Sequence, residues 1–396
     1  MISEASRPYI DASVPVLRQH GLAITTRFYE RLFAAHPELK HTFNMGNQAN
    51  GAQQQSLASA VFAYAANIGN PGALGPVVNR IVHKHASVGI RAEHYPIVGE
   101  NLLAAIADVL GDAATPPLLA AWAEAYGSLA KLFIDAEREL YAATAPEGTL
   151  APMRVTEVVR QSEDVLSIRF APADGGGAPA FKPGQYVTVA VTLADGLRQL
   201  RQYSLSDAPD GRTLRISVKR ELAAGSTPAG AVSNWLHEHV RVDSVLLVSH
   251  PYGDFTIDTD LNEPVVLLSA GVGITPMIAA LQRMALVNPQ RYVLFAHAAR
   301  DAQHHAHQAD LAVLRKRLPN LQVVTFYEEV NGETDVKKGR MDVAQLPSWP
   351  RTETQVWMCG PLGFMQAQWQ ALTAAGVPAA LLHREVFGPE ALDHIL

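Results

Sequence analysis

The hydrophobic period changes twice along this chain, so no single architecture accommodates all of it. Through residue 145 apolar residues recur every three or four positions in alanine-rich segments such as "VPVLRQHG", "LAITTRFYERLFAAHP" and "LLAAWAEAYGSLAKLFIDAERELYAA". That is the spacing of amphipathic helices, and Gly and Pro between the segments read as breaks. The stretch "TAPEGTLAP" reads as a linker. Beyond it the period is two. "VLSIRFAP", "GQYVTVAVTL", "TLRISVKRE" and "SVLLVSHPYG" are short strands separated by turn residues, the texture of a small antiparallel barrel. From Glu263 the strands "PVVLLSA", "YVLFAHA", "LQVVTFYE" and "TQVWMCG" alternate with helical stretches, which is a βαβ layout with a mainly parallel sheet. A chain of 396 residues exceeds one core. The expected order is a helical domain over 1–145, a linker at 146–151, a barrel over 152–260 and an α/β domain over 261–396.

Composition removes several function classes. A net charge of −6 leaves no basic footprint for nucleic acid. The single cysteine, Cys359, forbids an internal disulfide and suits a reducing cytoplasm. The start "MISEASRPYIDAS" lacks a basic segment followed by an apolar core, so no signal peptide is expected. The 19 residues from Pro264 to Gln282 carry no charge, long enough for a membrane span. Gly271, Gly273 and Pro276 in their middle favour a buried strand, a glycine turn and a helix instead.

Several polar residues fall on apolar helical stripes. In "IVHKHASVGI" the two histidines point about 200° apart on a helix, so only one can look inward. His85 shares its face with Val78, Ile81, Val82, Val88 and Gly89, whereas His83 lies opposite beside Asn79 and is expected to face water. Taken alone, His85 is either a core histidine bonded to a carbonyl or a ligand to a metal or haem. Tyr29 lies among Leu22, Thr25, Leu32 and Phe33; Gln53 among Leu57, Ala60, Val61 and Tyr64; Glu137 among Trp122, Tyr126, Leu129, Phe133 and Leu140. Each is either a satisfied structural group or part of a site, and four such residues in one small domain point to a pocket.

The later domains carry loop signals. "LLSAGVGITPM" sets Gly271 and Gly273 between an apolar strand and a helix, where backbone N–H groups can approach a pyrophosphate. The third glycine of the usual dinucleotide fingerprint is absent, with Thr275 and Pro276 in its place. "MCGP" ends a later strand, where ligands of such sheets bind, although Cys359 can equally be a small buried hydrophobe. "GAVSNWLHEH" opens a helix whose N-terminus can take phosphate. "HHAHQAD", residues 304–310, and His237 and His239 lack partners at zinc spacing and read as polar helix. His250 has no assigned role.

The segments "FYERLFAAHPELKHTFNMGNQANGAQQQSL", "VHKHASVGI", "EHYPIVGENLL" and "WAEAYGSLAKLF", followed by "PGQY", "RQYSLSD", "GVGITP", "MCGP" and "HREVFGPE", resemble the flavohaemoglobin family over essentially the whole chain. The resemblance implies an all-α globin joined to a ferredoxin-reductase-like module, an antiparallel β-barrel for FAD and an α/β parallel-sheet domain for NAD(P). It implies haem b, FAD and NADH or NADPH as cofactors. It makes His85 the proximal iron ligand, Phe43 the aromatic packed on the haem, and Tyr29 the distal hydrogen-bond donor, with Gln53 and Leu57 completing that side. Tyr95 and Glu137 become partners of His85. Lys84 and Glu385 would tune redox potential, although Lys84 alone reads as a solvated lysine. FAD would meet Tyr186, Arg201, Gln202, Tyr203, Ser204, Gly230, Val232, Ser233, Val386, Phe387, Gly388 and Pro389. The "RQYSLSD" stretch is taken to follow a strand. The dinucleotide would meet Gly271, Val272, Gly273, Ile274, Thr275, Pro276, Cys359, Gly360 and Pro361. Arg300 would either contact a 2′-phosphate or be solvated, which leaves NADH and NADPH both open.

The implied activity is that of a cytoplasmic, monomeric nitric oxide dioxygenase. Electrons pass from NAD(P)H through FAD to haem iron, where dioxygen oxidises nitric oxide to nitrate. The implied partners are O2, nitric oxide and NAD(P)H, with neither nucleic acid nor membrane. Two alternatives stand beside it: a gas-sensing globin whose reductase only keeps iron ferrous, and a general NAD(P)H-dependent reductase of ferric or other acceptors.

Overall fold

The protein is described by a computed structural model covering residues 2–225 and 228–388. Its chain forms two compact units. The first comprises residues up to 150 together with 190–201 and Gly388; the second comprises 151–189 and 202–387.

The first unit is helical: α1 (Arg7–Ala35), α2 (Met45–Ala49), α3 (Ala52–Ala66), α4 (Gly75–Val88), α5 (His94–Leu110) and α6 (Pro116–Ala143). α1 is continuous, whereas the sequence suggested a break near Gly21. Glycine inside a helix costs about 1 kcal/mol relative to alanine. Gly21 is buried against α3, where even an added Cβ would make only an ordinary contact, 3.6 Å from Ala58 Cβ. The core joins Ile10, Leu17, Ile24, Phe28 and Leu32 of α1 to Leu102, Ile106, Trp122 and Ala125 of α5 and α6. α4 ends at Gly89 in the left-handed region (φ +77°), and the Ile90 N–H closes back on the His85 carbonyl at 3.0 Å. An added Cβ at Gly89 would meet Gly148 Cα at 2.8 Å, so glycine serves both the turn and the close approach.

Among the described residues twelve strands follow α6. β1 (Leu150–Arg160), β2 (Val165–Pro172), β3 (Tyr186–Thr192), β4 (Arg198–Ser204), β5 (Leu214–Lys219) and β6 (Val245–Ser249) form one six-stranded sheet in the order β4-β3-β6-β1-β2-β5, with α7 (Ala231–His239) between β5 and β6. β1 begins at Leu150, within the stretch read as linker. Arg201 to Ser204 lie inside β4 rather than after a strand. Polar residues at 198, 199 and 201–203 hid that strand from a hydrophobic pattern.

The second sheet is parallel, in the order β10-β9-β8-β7-β11-β12: β7 (Val265–Ala270), β8 (Val293–Ala299), β9 (Leu321–Tyr327), β10 (Lys337–Lys338), β11 (Gln355–Cys359) and β12 (Leu382–Glu385). α8 (Ile274–Val287), α9 (Gln308–Arg317) and α10 (Leu362–Ala374) lie between its strands. Every residue of β7 is buried. Val265 and Leu267 face one apolar cluster, Val266 and Leu268 the other. Burial on both faces explains the uncharged run. Among the described residues no helix is long and apolar enough to cross a membrane.

Gly184, in "PGQY", adopts φ +105°, and a Cβ built there would lie 1.8 Å from the Phe255 carbonyl oxygen. Gly184→Ala is therefore expected to destabilise the second unit by about 3 kcal/mol or more, read as a lower calorimetric unfolding temperature. An unchanged transition would show that the loop relaxes at no cost.

Candidate functional site

α4, α5 and α6 bring three polar groups of the first unit together. The Glu137 carboxylate is only 2% exposed. It accepts the Tyr95 hydroxyl at 2.5 Å and lies 2.8 Å from His85 Nδ1. The Tyr95 oxygen is also 3.1 Å from Nδ1. A carboxylate can only accept, so Nδ1 carries the proton and Nε2 keeps its lone pair. Tyr126 donates to the Tyr95 carbonyl at 2.7 Å, which ties α6 to α5. Burial, followed by the hydrogen bond to the Glu137 carboxylate, pushes the Tyr95 hydroxyl far above its usual range. It stays a donor. The His85 side chain is 33% exposed although its Nδ1 edge is spent on a buried acid. An imidazole with an anchored Nδ1–H and a basic, reachable Nε2 fits a haem-iron ligand. His83 is half-buried rather than solvated and has interactions of its own.

Tyr29 is buried on α1 beside Phe33 and Phe43, with ring centroids 5.8 Å away in both cases. Burial pushes its phenol up to about 12, against opposing hydrogen bonds to Gln53 and Gln48. Leu57 packs against the same cluster. The predicted set Tyr29, Phe43, Gln53 and Leu57 is thus assembled from three segments. Gln48, one turn into the short α2, is an addition that no helical stripe revealed. Lys84 is placed by a bond as well as by solvent: Nζ donates to the Gly388 carbonyl at 3.0 Å.

β4 carries Arg201, Gln202, Tyr203 and Ser204. Ser204 Oγ is buried with no partner among the described residues, as is Thr188 Oγ1. Orphaned hydroxyls on the strand that bears "RQYS" and on the one that follows "PGQY" fit a polar cofactor such as FAD. Tyr186 is buried. Gly230 caps α7, and the Ser233 hydroxyl folds back on the Gly230 carbonyl at 3.1 Å. Val232 is buried.

Gly271 to Gly273 form one tight turn between β7 and α8. A Cβ at Gly273 would stand 2.3 Å from the Cys359 carbonyl oxygen, and one at Gly360 would stand 3.1 Å from Ala270 Cβ. The "GVG" and "CGP" loops are packed backbone to backbone, while a Cβ at Gly271 (φ +53°) would meet open space. This bare cradle at the carboxyl ends of β7 and β11 fits a pyrophosphate. Ile274, Thr275 and Pro276 are buried in the first turn of α8. Cys359 is fully buried and burial pushes its thiol well up, so it packs as a small hydrophobe. It pairs across to Glu385, itself buried in β12. Val386 is buried and Phe387 exposed. Pro389 lies outside the described residues.

"HHAHQAD" is not a polar helix. Ala302–His304 is one turn, His307 takes φ +63°, and α9 starts only at Gln308. His305 and His307 are buried. His307 bridges Ser217 Oγ (2.9 Å) and Asp310 (2.7 Å), and Arg215 donates to Asp310 at 2.9 Å. His305 bonds the Tyr327 hydroxyl at 2.8 Å and lies tilted against buried His297, ring centroids 4.5 Å apart, whose Nδ1 meets Ser269 Oγ at 2.8 Å. A period of 3.6 could not foresee this, because hydroxyl partners from distant strands made the burial possible. His304 and Arg300 sit together at 3.3 Å. His237 bonds the Val218 carbonyl, and His250 the Pro251 carbonyl. Among the described residues no group of three or more His, Cys, Asp or Glu side chains is placed to hold a metal ion.

Residues 26–132 match the globin family, 152–257 the oxidoreductase FAD-binding domain and 267–370 the oxidoreductase NAD-binding domain. A flavohemoprotein of Chromobacterium violaceum is 49% identical over 399 residues, covering 98% of both chains. One from Deinococcus radiodurans is 45% identical over 98% of each. Among solved structures, a flavohemoglobin of Malassezia yamatoensis with bound FAD and heme is 32% identical, with a TM-score of 0.87 over 98% of this chain and 100% of that one. The FAD/NAD-binding domain of a Vibrio cholerae nitric oxide dioxygenase is 38% identical over 60% of this chain and 99% of that one, with a TM-score of 0.57.

The buried histidines set an acid limit. Burial, with the His307 and Arg315 charges, lowers His305 to about 4. Unfolded, it would titrate near 6.5. A depressed value in the folded state means that the stability is complete above pH 6.5 and is lost as pH falls toward 4. The loss reaches about 3 kcal/mol. Unfolding temperature should fall over that window, and His305→Phe should flatten the fall. Equal slopes in both proteins would show that His305 is not the responsible group.

Proposed function

The chain belongs to the flavohemoprotein family, and from that membership we propose that it acts as a nitric oxide dioxygenase. It is an oxidoreductase built of globin, FAD-binding and NAD-binding modules, and its cofactors are haem, FAD and a nicotinamide dinucleotide. When bound, these supply hydride to flavin, single electrons to iron, and at iron the oxidation of nitric oxide by dioxygen to nitrate.

The chain's own residues have the following tasks in this reading. The "GVG" and "CGP" loops, with Gly271, Gly273 and Gly360, hold the dinucleotide pyrophosphate on main-chain N–H groups. Arg201 meets the flavin pyrophosphate with a guanidinium fork. Tyr203 and Ser204, whose buried hydroxyl has no partner among the described residues, would hold the flavin. His85 would ligate the iron through Nε2. Glu137, by accepting the Nδ1–H hydrogen bond, would make that imidazole a stronger electron donor, and Tyr95 orients the acid. Tyr29, kept protonated because burial pushes its phenol up to about 12, would offer its hydroxyl proton to the diatomic substrate, with Gln53 alongside. The observation that carries the reading is the Glu137 carboxylate buried against His85 Nδ1, a partner that a mere oxygen carrier would not need.

The test is anaerobic stopped-flow absorbance of the purified protein mixed with NADH, then with oxygen and nitric oxide. Bleaching of flavin, reduction of haem and catalytic loss of nitric oxide to nitrate are expected. Flavin bleaching with ferric haem would instead make the protein a general reductase, and nitric oxide binding without turnover would make it a sensor. Tyr29→Phe should lower kcat/KM for nitric oxide on the order of 100-fold while electrons still reach the haem. His85→Ala should abolish turnover. Glu137→Gln should weaken the iron–histidine bond, seen as a lower Fe–His stretching frequency in the ferrous protein. An unshifted frequency would remove the role given to Glu137.

A further inference from the structure

Gln199 is 1% exposed, an unusual position for a glutamine in a strand otherwise rich in arginine. Leu200 beside it is buried too. Neighbouring residues of a strand point to opposite faces, so both faces of β4 are covered at this point. Within the first unit the cover on the Gln199 side is the segment between α1 and α2. The Gln199 Nε2 donates to the Lys40 carbonyl at 3.2 Å and reaches the Phe43 carbonyl at 3.5 Å. Its Oε1 accepts the Met45 N–H at 3.4 Å and Arg201 Nη1 at 3.3 Å. One residue earlier the Arg198 N–H donates to His41 Nδ1 at 3.0 Å.

One amide therefore brackets Phe43 through the main chain on both sides and also orients Arg201. Phe43 in turn holds Tyr29 and Phe33 edge-on, at 5.8 and 5.4 Å. We propose that Gln199 is a positioning residue for electron transfer: it fixes the Phe43 segment to the strand segment that carries Arg201. The proposal rests on the reading of this chain as one that sends flavin electrons to haem. It adds the residue that anchors the Phe43 segment to the strand segment bearing Arg201 within the first unit. Chemistry that depends on placement is sensitive to small displacements, since a shift of about 1 Å can cost on the order of 100-fold in rate. A buried amide with both its donor and acceptor engaged resists such shifts because breaking it leaves main-chain groups unpaired.

The test uses the full holoprotein. Gln199→Met keeps length and volume and removes both donor and acceptor; Gln199→Asn keeps the amide but shortens its reach. In anaerobic stopped-flow with NADH and carbon monoxide, flavin reduction and the following haem reduction are read as separate phases. Both variants should slow the haem phase on the order of tenfold while the flavin phase keeps its wild-type rate. Haem release to apomyoglobin should quicken, and amides of residues 40–46 should exchange faster. A haem phase at the wild-type rate in the Asn variant overturns the proposal, whether or not the Met variant takes up its cofactors. A general loss of fold would slow both phases together and likewise count against a positioning role. If the wild-type haem is never reduced, the underlying reading fails, an outcome distinct from wild-type and variant behaving alike.

Discussion

A carboxylate that is 2% exposed must be paid back in hydrogen bonds, and Glu137 is repaid by one hydroxyl and one imidazole. Much of the first unit follows from that requirement. Tyr95 must leave α5 at the height where it meets both Glu137 and His85. Tyr126 then holds the Tyr95 main chain from α6, and the close approach leaves no room for a side chain at position 99, where a Cβ would meet Tyr126 at 2.6 Å. α4 must stop directly after presenting His85, which the left-handed Gly89 accomplishes. The polar triad fixes three helices to one another and determines which imidazole nitrogen is left for a ligand.

The second unit meets its own constraint differently. A phosphate-bearing ligand needs bare main-chain N–H groups, and bare main chain must be supported from behind. The parallel sheet supplies that support. β7 and β11 are neighbours in register, Ser269 opposite Cys359, so the loops leaving them meet at Gly273 and Gly360. Pro276 suits the first turn of α8, where a missing N–H costs nothing. This accounts for a "GVGITP" loop that does without the third glycine of the more familiar fingerprint.

What was legible in the sequence was what periodicity or a short motif encodes. The helical stripes placed Tyr29, Gln53, His85 and Glu137 on inward faces, and the run from Pro264 to Gln282 read correctly as strand, turn and helix. β4 was invisible because its alternation is masked by arginines and glutamines that find partners rather than solvent. Gln199 was missed for the same reason: its burial is made possible by carbonyls some 150 residues away, which no local window contains. The break expected at Gly21 failed because tertiary packing against Ala58 outweighs a local propensity. The roles along the loops came from family resemblance, since the glycines alone state only where a chain can turn.

The histidines show how little a residue type decides without its neighbours. His297 and His305 each spend Nδ1 on a hydroxyl, from Ser269 and Tyr327, and each keeps an unpartnered Nε2. Those nitrogens are sealed from solvent, so desolvation holds both rings neutral and no ligand reaches them. His307 has no nitrogen left over, being held by Ser217 and Asp310. His85 alone of these four combines an Nδ1 anchored to a carboxylate with a side chain still one-third exposed. A ligand must be both basic and reachable. The acid behind Nδ1 secures the first condition and the one-third exposure of the side chain the second, so an imidazole that is inert structure in the second unit is, in the first, the one proposed as the iron ligand.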